Sequence, residues 1–414
     1  MINRHDVVIV GAGQAGVSLA ARLRRDGFSD IALIDPRLTH RYRPLLSYVG
    51  GGQAVLADLE RPQAEVIPSG VTWYRHEVAV VDPGARRVET ADGRRISAGD
   101  LVLCPGVTPD WDDVPGSHPA VHSVHGSSNY VDERAPYTWQ LIEGLRSGDA
   151  VFVVAAGPVP CAGAALKPLF LAADHWRRTG VLSKMTVTLI VPWPTIFGIP
   201  AVDDELVEVA RRFGITVLTG TRVRRIDPDE RVLELDQGGR ETRLPYDLLH
   251  LAPRHRAPDW LAVDGLERPA APPSSTGAPV DDSAIDAHVA GMVDVDPSTL
   301  AHRRHANVWG LGDAADVAAS RSGGALRKQV AVVADNIARR RAGRPLVTYD
   351  GYSTAPITVG QDRLVLAEFD RAGAITPSVP LINLVKQRRS TWAYDRFLQP
   401  QLYWHTILKG RVSR

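Results

Sequence analysis

A glycine-rich turn close to the start of the chain is the feature that most constrains its fold. A short apolar strand pattern, this turn, a helical pattern and a second strand pattern follow one another over residues 6–34. The turn has the sequence GAGQAG over residues 11–16. This order is typical of a Rossmann-like βαβ unit, in which the turn and the start of the helix bind a dinucleotide.

Each glycine of this turn has its own steric role in such a unit. Gly11 permits the tight turn, Gly13 lets the backbone approach a pyrophosphate, and Gly16 allows close packing of helix on strand. Asp35 follows the second strand, where it is expected to accept hydrogen bonds from a ribose hydroxyl pair and to disfavour a 2′-phosphate. The turn therefore predicts a bound dinucleotide but does not by itself distinguish FAD from NAD.

A second βαβ pattern begins near the middle of the chain. Residues 149–155 read as a buried strand, 166–178 as a helix and 186–191 as a further strand. The turn between the first strand and the helix contains Pro158 and Pro160, which lack the backbone N–H donors that a pyrophosphate would bind. The repeat predicts a second Rossmann-like domain whose turn is poorly suited to NADH.

Cys161 follows these prolines at the predicted start of the helix. A helix dipole stabilises a thiolate at that position, so we expect a lowered pKa and a nucleophilic sulfur. The alternative is a small apolar residue packed under the helix. The other cysteine, Cys104, ends an apolar strand and is interpreted as a packing residue. Two cysteines are too few for a disulfide framework and favour a reducing compartment.

Near residue 310 the pattern of a strand runs into Gly312-Asp313 ahead of a helix. This segment resembles the one with which flavoprotein disulfide reductases and their relatives bind the ribityl chain of FAD. The alternative is an ordinary turn at the end of a strand. The resemblance selects FAD as the dinucleotide.

Composition narrows the class of protein further. The 414 residues are 44% hydrophobic and 23% charged, which is typical of a folded protein with two or three domains. The formal net charge of +1 provides no field for attracting nucleic acid.

We see no signal peptide and no apolar run long enough to span a membrane. His302 and His305 lack partners at ligand spacing, so we predict no metal site. The excess of arginine over lysine suggests a GC-rich bacterial genome.

Together these motifs resemble the sulfide:quinone oxidoreductases, in particular their type II, mitochondrial-like branch. The turn Pro160-Cys-Ala-Gly-Ala164 and the later Gly312-Asp313 are the strongest matches. Further matching stretches lie along nearly the whole chain, at residues 40–50, 66–70, 126–130, 195–198, 293–296, 300–304, 349–352 and 364–370.

The resemblance implies a flavoprotein that oxidises sulfide at a cysteine pair beside FAD and passes two electrons to quinone. Cys161 matches the family cysteine nearest the flavin. The second family cysteine would directly follow Gly312-Asp313, where this chain has Ala314. We therefore expect Cys161 to be the only redox thiol, oxidising sulfide or a small thiol or persulfide through a modified mechanism.

The resemblance also implies roles for residues of the electron exit. Lys328 is expected to stabilise the anionic reduced flavin near N1, and Gln329 to hydrogen-bond its pyrimidine edge. The alternative for both is a solvated pair. Phe369 matches the family aromatic residue near the quinone pocket. Lys167, early in its own helix, is expected to be solvated.

The segment from Leu381 onward mixes aromatic, aliphatic and basic residues at helical spacing. Such a pattern is typical of a helix that lies in a lipid headgroup layer, and the resemblance favours this because quinone is collected from the bilayer. The alternatives are a helix packed on the body and a homodimer contact. The aromatic and aliphatic residues are Trp392, Tyr394, Phe397, Leu402, Tyr403, Trp404, Ile407 and Leu408.

We therefore predict an α/β protein with two Rossmann-like dinucleotide-binding domains, of the flavoprotein disulfide reductase type, and a C-terminal amphipathic tail. It is expected to be cytoplasmic and peripheral on the inner face of the cell membrane. The predicted parts are an FAD-binding domain (1–110, completed by 295–345), a second domain carrying Cys161 (111–294, with a Pro/Ala-rich insertion at about 260–288) and a quinone- and membrane-facing region (346–414). Two alternatives remain, a type II NADH:quinone reductase-like enzyme and a non-turnover, flavin-bound thiol sensor.

Overall fold

The computed structural model of the protein describes residues 2–269, 289–379 and 382–412. Most of the predicted Pro/Ala-rich insertion therefore lies outside the described residues. Within them the chain forms two parallel sheets, each covered by helices, followed by a β-hairpin and a helical tail.

The first domain is built on a sheet with β1 at its centre. Its strands and helices follow the predicted βαβ order. The elements up to residue 109 are β1 (Ile2–Val10), α1 (Gln14–Arg25), β2 (Ile31–Ile34), β3 (Thr39–Arg41), α2 (Leu46–Gly50), α3 (Leu56–Leu59), β4 (Glu60–Pro62), α4 (Gln63–Val66), β5 (Val71–Tyr74), β6 (Val78–Asp82), β7 (Arg87–Thr90), β8 (Arg95–Leu103) and β9 (Thr108–Pro109). Strands β5, β2, β1 and β8 pair in parallel, and β6 and β7 extend the sheet as an antiparallel meander. The central strands are continuous apolar runs because both faces of the sheet are covered.

The second domain repeats this plan. Its elements are α5 (Ser117–His122), β10 (Gly126–Ser127), α6 (Ala135–Gly144), β11 (Gly148–Val154), α7 (Ala162–Arg178), β12 (Met185–Ile190), α8 (Pro200–Phe213), β13 (Thr216–Leu218), β14 (Thr221–Asp227), β15 (Val232–Gln237), β16 (Arg240–Pro245), β17 (Leu248–Ala252) and β18 (His255–Arg256). A parallel sheet runs in the order β10-β17-β11-β12-β13, and β14 to β16 form a separate antiparallel sheet. Strand β18 pairs with β9 where the chain crosses between the two domains.

The segment after residue 289 returns to the first domain. Strand β19 (Val308–Gly310) pairs in parallel with β8, and helix α9 (Gly323–Arg341) follows. The hydroxyl oxygen of Ser322 accepts a hydrogen bond from the Ala325 N–H at 3.1 Å and so caps α9. The hairpin of β20 (Ser353–Gly360) and β21 (Arg363–Phe369) then packs its apolar side chains into the core of the second domain.

The helical tail contains α10 (Arg389–Ala393) and α11 (Gln399–Leu402), with π-helical turns at 394–398 and 403–407. Tyr403, Trp404 and Leu408 are buried in the core of the first domain. Phe397 and Leu398 remain exposed, at 56% and 50%. Half of the aromatic and aliphatic residues of the tail are buried against the rest of the protein. The tail is therefore largely packed on the body, which was one of the alternatives to a membrane-facing helix. The face left for a lipid surface is narrower than predicted.

We predict that Gly16→Ala destabilises the protein. A Cβ at Gly16 would lie 1.9 Å from the carbonyl oxygen of Gly11, and backbone at such a contact must shift. Overpacking of this kind costs about 1–3 kcal/mol, measurable as a lower thermal unfolding midpoint. Gly13→Ala is the matched control, because a Cβ there meets no atom within 4 Å. Equal midpoints for the two variants would contradict the prediction.

Candidate active site

One cavity lies where the two Rossmann-like domains and the tail meet, and we call it the shared cavity. Its volume is about 300 Å³, at the lower end of the range of small-molecule sites. Residues 12–15 of the first domain, Cys161 of the second, the Gly312-Asp313 turn and Tyr403 of the tail all line it. The carboxyl ends of β1 and β11 point to this place, which is where open α/β sheets bind ligands.

The glycine turn of the first domain has the geometry of a nucleotide loop. Gly11 has a φ of +100°, and a Cβ there would lie 2.2 Å from the carbonyl oxygen of Cys104. Gly13 precedes α1 as its N-cap and lines the cavity, with open space where a Cβ would stand. The loop therefore leaves the N-terminus of α1 free to receive a phosphate group.

Asp35 lies at the end of β2, behind this loop. Its carboxylate accepts hydrogen bonds from the Ala12 N–H at 2.7 Å and from the Arg37 guanidinium at 2.7 and 3.0 Å. Burial raises the pKa of this carboxyl, but the Arg37 hydrogen bonds and charge outweigh that effect and hold the pKa below its usual value. Asp35 is thus an ionised acceptor that fixes the loop and Arg37, and Arg37 lines the cavity.

The turn after β19 also opens on the shared cavity. Gly312 has a φ of +82°, and its N–H donates to the side-chain oxygen of Gln329 at 3.0 Å. The Gln329 side chain is buried behind this turn, so it positions Gly312 instead of presenting its amide to a flavin edge as predicted. Asp313 lines the cavity. Burial raises the pKa of its carboxyl against the opposing charges of Arg321 and Arg43.

Lys328 does not line the shared cavity, and its role beside the flavin stays a prediction. Its ammonium lies 2.6 Å from the Asp350 carboxylate and over the ring of Tyr352. The preceding residue, Arg327, lines the shared cavity. Of these two neighbouring cations, Arg327 is the one that the structure places at the cavity.

Cys161 stands at the N-cap of α7 and lines the shared cavity. Its backbone is left-handed, with a φ of 54°, and its N–H donates to the Arg321 carbonyl at 2.8 Å. The Tyr130 hydroxyl donates to the carbonyl oxygens of Pro160 and Cys161 at 3.0 and 3.2 Å. A left-handed non-glycine residue is held by its surroundings, and these contacts fix the direction of the side chain.

Pro168 contributes to this arrangement from inside α7. Because proline has no N–H, the carbonyl of Ala164 lacks its helical donor. The side chains of Asn129 and Ser47 donate to that carbonyl instead, at 3.2 and 3.3 Å. The first turn of α7 is therefore tied to the first domain through Ser47.

The pKa of Cys161 differs from the sequence-based expectation. Burial raises the pKa of the thiol above its ordinary value, and the Lys167 charge and a hydrogen bond from the Ala164 N–H only partly oppose this. The carboxylates of Asp395 and Asp313 raise it further. The helix start by itself does not produce a lowered pKa, because the thiol is desolvated.

Both cysteines of the chain are free thiols. Cys104 is buried, its Sγ donates to the Gly11 carbonyl at 3.6 Å, and burial raises its pKa. Ala314, which directly follows the Gly312-Asp313 turn, is fully buried. Cys161 is thus the more exposed of the two thiols, and no disulfide joins it to Cys104.

Lys167 is buried, contrary to the expectation of a solvated side chain. Only 2% of its side chain is exposed, and its Nζ lies 2.9 Å from the Asp395 carboxylate of the tail. The Tyr48 hydroxyl donates to the same carboxylate oxygen at 2.7 Å and itself lies 3.1 Å from the Thr358 hydroxyl. Lys167 and Asp395 both line the shared cavity.

Phe369 does not line the shared cavity. It is fully buried in β21, where its ring packs edge-on against Phe197 in the core of the second domain. Its role beside a quinone stays a prediction. For the described residues no group of three or more His, Cys, Asp or Glu side chains could hold a metal ion.

Several residues that line the shared cavity were not predicted from the sequence. The tail supplies Asp395, Gln399, Tyr403 and Ile407 to the cavity wall. The Tyr403 hydroxyl lies 2.5 Å from Nε2 of His40, and burial lowers the pKa of that imidazole to about 4. The stretch around residue 40 matched the family, but nothing in the sequence paired it with a residue more than 300 positions away.

Comparisons with known proteins agree with this geometry. The family model for pyridine nucleotide-disulphide oxidoreductases matches residues 5–268. The chain is 31% identical to the mitochondrial sulfide:quinone oxidoreductase of Mus musculus over 99% of its own length and 87% of that protein. It is 30% identical to the mitochondrial sulfide:quinone oxidoreductase of Dictyostelium discoideum over 98% and 86% of the two chains.

A solved structure shares the whole fold. The sulfide:quinone oxidoreductase of Aquifex aeolicus superposes with a TM-score of 0.76 and 17% identity, covering 100% of this chain and 93% of that one. At that identity the likeness concerns the fold alone. The two glycine turns, the Gly-Asp turn and the whole-length matches together show that the chain is an FAD-dependent oxidoreductase that belongs to the sulfide:quinone oxidoreductase family of pyridine nucleotide-disulphide oxidoreductases.

Proposed function

We propose that the protein oxidises sulfide, or a small thiol or persulfide, at Cys161 and delivers the electrons to a quinone. The observation that carries the proposal is the position of Cys161. It lines the same cavity as the nucleotide loop and the Gly312-Asp313 turn, and it is the free thiol with the greater exposure.

The residues around the cavity fit FAD. The open space at Gly13 and the free N-terminus of α1 suit its pyrophosphate, and the Gly312-Asp313 turn suits its ribityl chain. Arg37, Arg43 and Arg327 add positive charge to the same wall. When bound there, FAD supplies a two-electron acceptor that a quinone can reoxidise.

Cys161 can carry the sulfur chemistry alone. Its thiolate forms an S–S bond with a hydrosulfide ion, which gives a persulfide on the protein, one proton released to solvent and two electrons. The quinone named in the proposal is the final acceptor of these two electrons. A nucleophile from solution, such as a thiol or a second hydrosulfide, then attacks the outer sulfur and restores the Cys161 thiolate. Ala314 and the buried Cys104 offer no second sulfur, so the product must leave on an external acceptor.

The turn before α7 argues against NADH as the electron donor. Pro158 and Pro160 remove two backbone donors, and Gly157, with a φ of +93°, packs against the side chain of Arg254. Cys161 stands where the pyrophosphate of NADH would approach the helix. These features support a sulfur substrate over a nicotinamide.

We also propose that the exposed part of the tail contacts the membrane from its cytoplasmic face. Within the described ranges, no helix has the length and apolar character needed to cross a bilayer. Phe397 and Leu398 are exposed on the tail, and the Phe397 ring packs edge-on against Trp392. Arg389 is exposed and Arg388 is half-buried at the start of α10, and their charges suit anionic headgroups.

We predict that Cys161→Ala slows flavin reduction by sulfide at least about a hundredfold, because the nucleophile is lost. The measurement is anaerobic bleaching of the flavin absorbance after mixing with sulfide. Cys104→Ala is the matched control and should bleach at the wild-type rate. NADH should bleach neither protein.

Bleaching of Cys161→Ala at the wild-type rate would refute the thiol mechanism. Rapid bleaching by NADH would favour an NADH:quinone reductase. A stable Cys161 adduct without quinone reduction would favour the thiol sensor.

We predict that the double variant Phe397→Glu/Leu398→Glu weakens binding to anionic phospholipid vesicles about tenfold or more, because two apolar anchors are lost. Co-sedimentation with the vesicles measures this. The control is Val124→Glu/Val207→Glu, at two exposed valines of the second domain. If the control loses as much binding as the tail variant, the tail is not the membrane contact.

A further inference from the structure

The ion pair of Lys167 and Asp395 has no obvious structural purpose. It lies between α7 and the tail with exposures of 2% and 7%, and Tyr48 and Thr358 extend its hydrogen bonds. Taking two charges out of water is costly, and a buried pair of this kind is often no more stabilising than apolar residues of the same size.

What distinguishes the pair is its place in the wall of the shared cavity, together with Cys161. Lys167 lies six residues after Cys161 on the same helix, and Asp395 reaches the cavity from the tail. The other ionisable groups that face the thiol are Asp313, Tyr130 and Tyr42. Burial raises the pKa of both tyrosines, so they stay neutral.

Lys167 is the cation with the largest effect on the Cys161 thiol, and it lines the same cavity. Its charge opposes the burial that raises the pKa of Cys161, whereas Asp395 and Asp313 act in the other direction. The positive charges of Arg321 and Arg43 act on Asp313. The charge state of Cys161 is therefore set by a lysine and by the carboxylate that holds that lysine in place.

We propose that Lys167 and Asp395 are a positioning pair that sets the reactivity of Cys161, with Lys167 stabilising the thiolate or persulfide anion and Asp395, from the tail, limiting that effect. Nothing is transferred between the three groups, and the pair acts by charge alone. The inference rests on the proposed role of Cys161, but its test needs neither sulfide nor quinone.

The charges of Lys167 and Asp395 have opposite effects on the thiolate. The proposal therefore predicts opposite shifts in the pH at which the thiolate forms when each charge is removed. Removing the Lys167 charge takes away the stabilising cation, so the thiolate forms at higher pH. Removing the Asp395 charge takes away a carboxylate that raises the pKa of the thiol and leaves the ammonium without its counter-ion, so the thiolate forms at lower pH. Loosened packing alone would shift the pH at which the thiolate forms in the same direction in both variants.

The experiment is alkylation of the FAD-containing protein by iodoacetamide from pH 6 to 10 (about one unit per step), with the Cys161 peptide followed by mass spectrometry. Cys104, buried, serves as the internal unreactive thiol. Lys167→Met should raise the pH of half-maximal reaction by about one unit, which is tenfold slower alkylation below that pH. Asp395→Asn should lower it.

Two further variants keep the test decisive. Lys167→Met/Asp395→Asn removes both charges and should return the profile toward that of the wild type. Lys386→Met is the matched control, since Lys386 forms an ion pair with Glu205 but is 65% exposed, and it should leave the profile unchanged. If Lys167→Met fails to bind FAD, Lys167→Arg keeps the charge and should keep the wild-type profile, and a shift of its profile would count against the proposal.

Shifts of the two single variants in the same direction, or no shift in either, would overturn the proposal. Failure of the proposed function would look different, since Cys161→Ala would still bleach with sulfide while the alkylation profiles kept their opposite shifts.

Discussion

The backbone hydrogen bond from Cys161 to the carbonyl of Arg321 joins the two halves of the active site. It links the turn that precedes α7 in the second domain to the segment that completes the first domain. Arg321 in turn donates from its side chain to the Asp313 carbonyl at 3.0 Å. The thiol and the Gly-Asp turn are therefore held by one short path of hydrogen bonds, and the left-handed φ of Cys161 is the local cost of that connection.

The tail adds two further contacts to the shared cavity. It contributes a carboxylate to Lys167 and a hydroxyl to His40, two contacts that reach different walls of the cavity. Because these groups are buried, a displaced tail would leave a lysine without its counter-ion and would open the cavity to water. The tail is thus part of the active site, and its exposed tip, with Phe397, is the part that remains free for a membrane.

The parts of the protein that could be predicted from sequence are those fixed by local sterics. The glycine turn at 11–16 and the strand beside it can take few conformations, so the βαβ unit and the position of Asp35 follow from the pattern. The start of α7 at Cys161 follows in the same way from the prolines before it.

The sequence-based predictions that differ from the structure concern contacts between residues that are far apart in the chain. Lys167 carries a charge and stands early in a helix, which favours a solvated side chain. Its buried counter-ion, Asp395, lies 228 positions later in the chain. Tyr403 and Trp404 have the spacing of a membrane-facing helix, but the same spacing also suits a helix packed on a core. Lys328 and Gln329 were assigned by resemblance, and a helix turns about 100° per residue, so a small rotation decides which neighbour faces the cavity.

The charged residues of the shared cavity bear on how the protein works with Ala314 in the place of a second cysteine. With a partner cysteine, the sulfur that leaves Cys161 has a thiol within the protein to receive it. With Ala314 in that place, the receiving nucleophile must enter from solution, and small thiols and sulfide are anionic when reactive. Arg37, Arg43 and Arg327 lie on the cavity wall, where Arg37 is paired with Asp35 and Arg43 with Asp132. Under the proposed function, an external acceptor takes the place that the resemblance gives to a second cysteine.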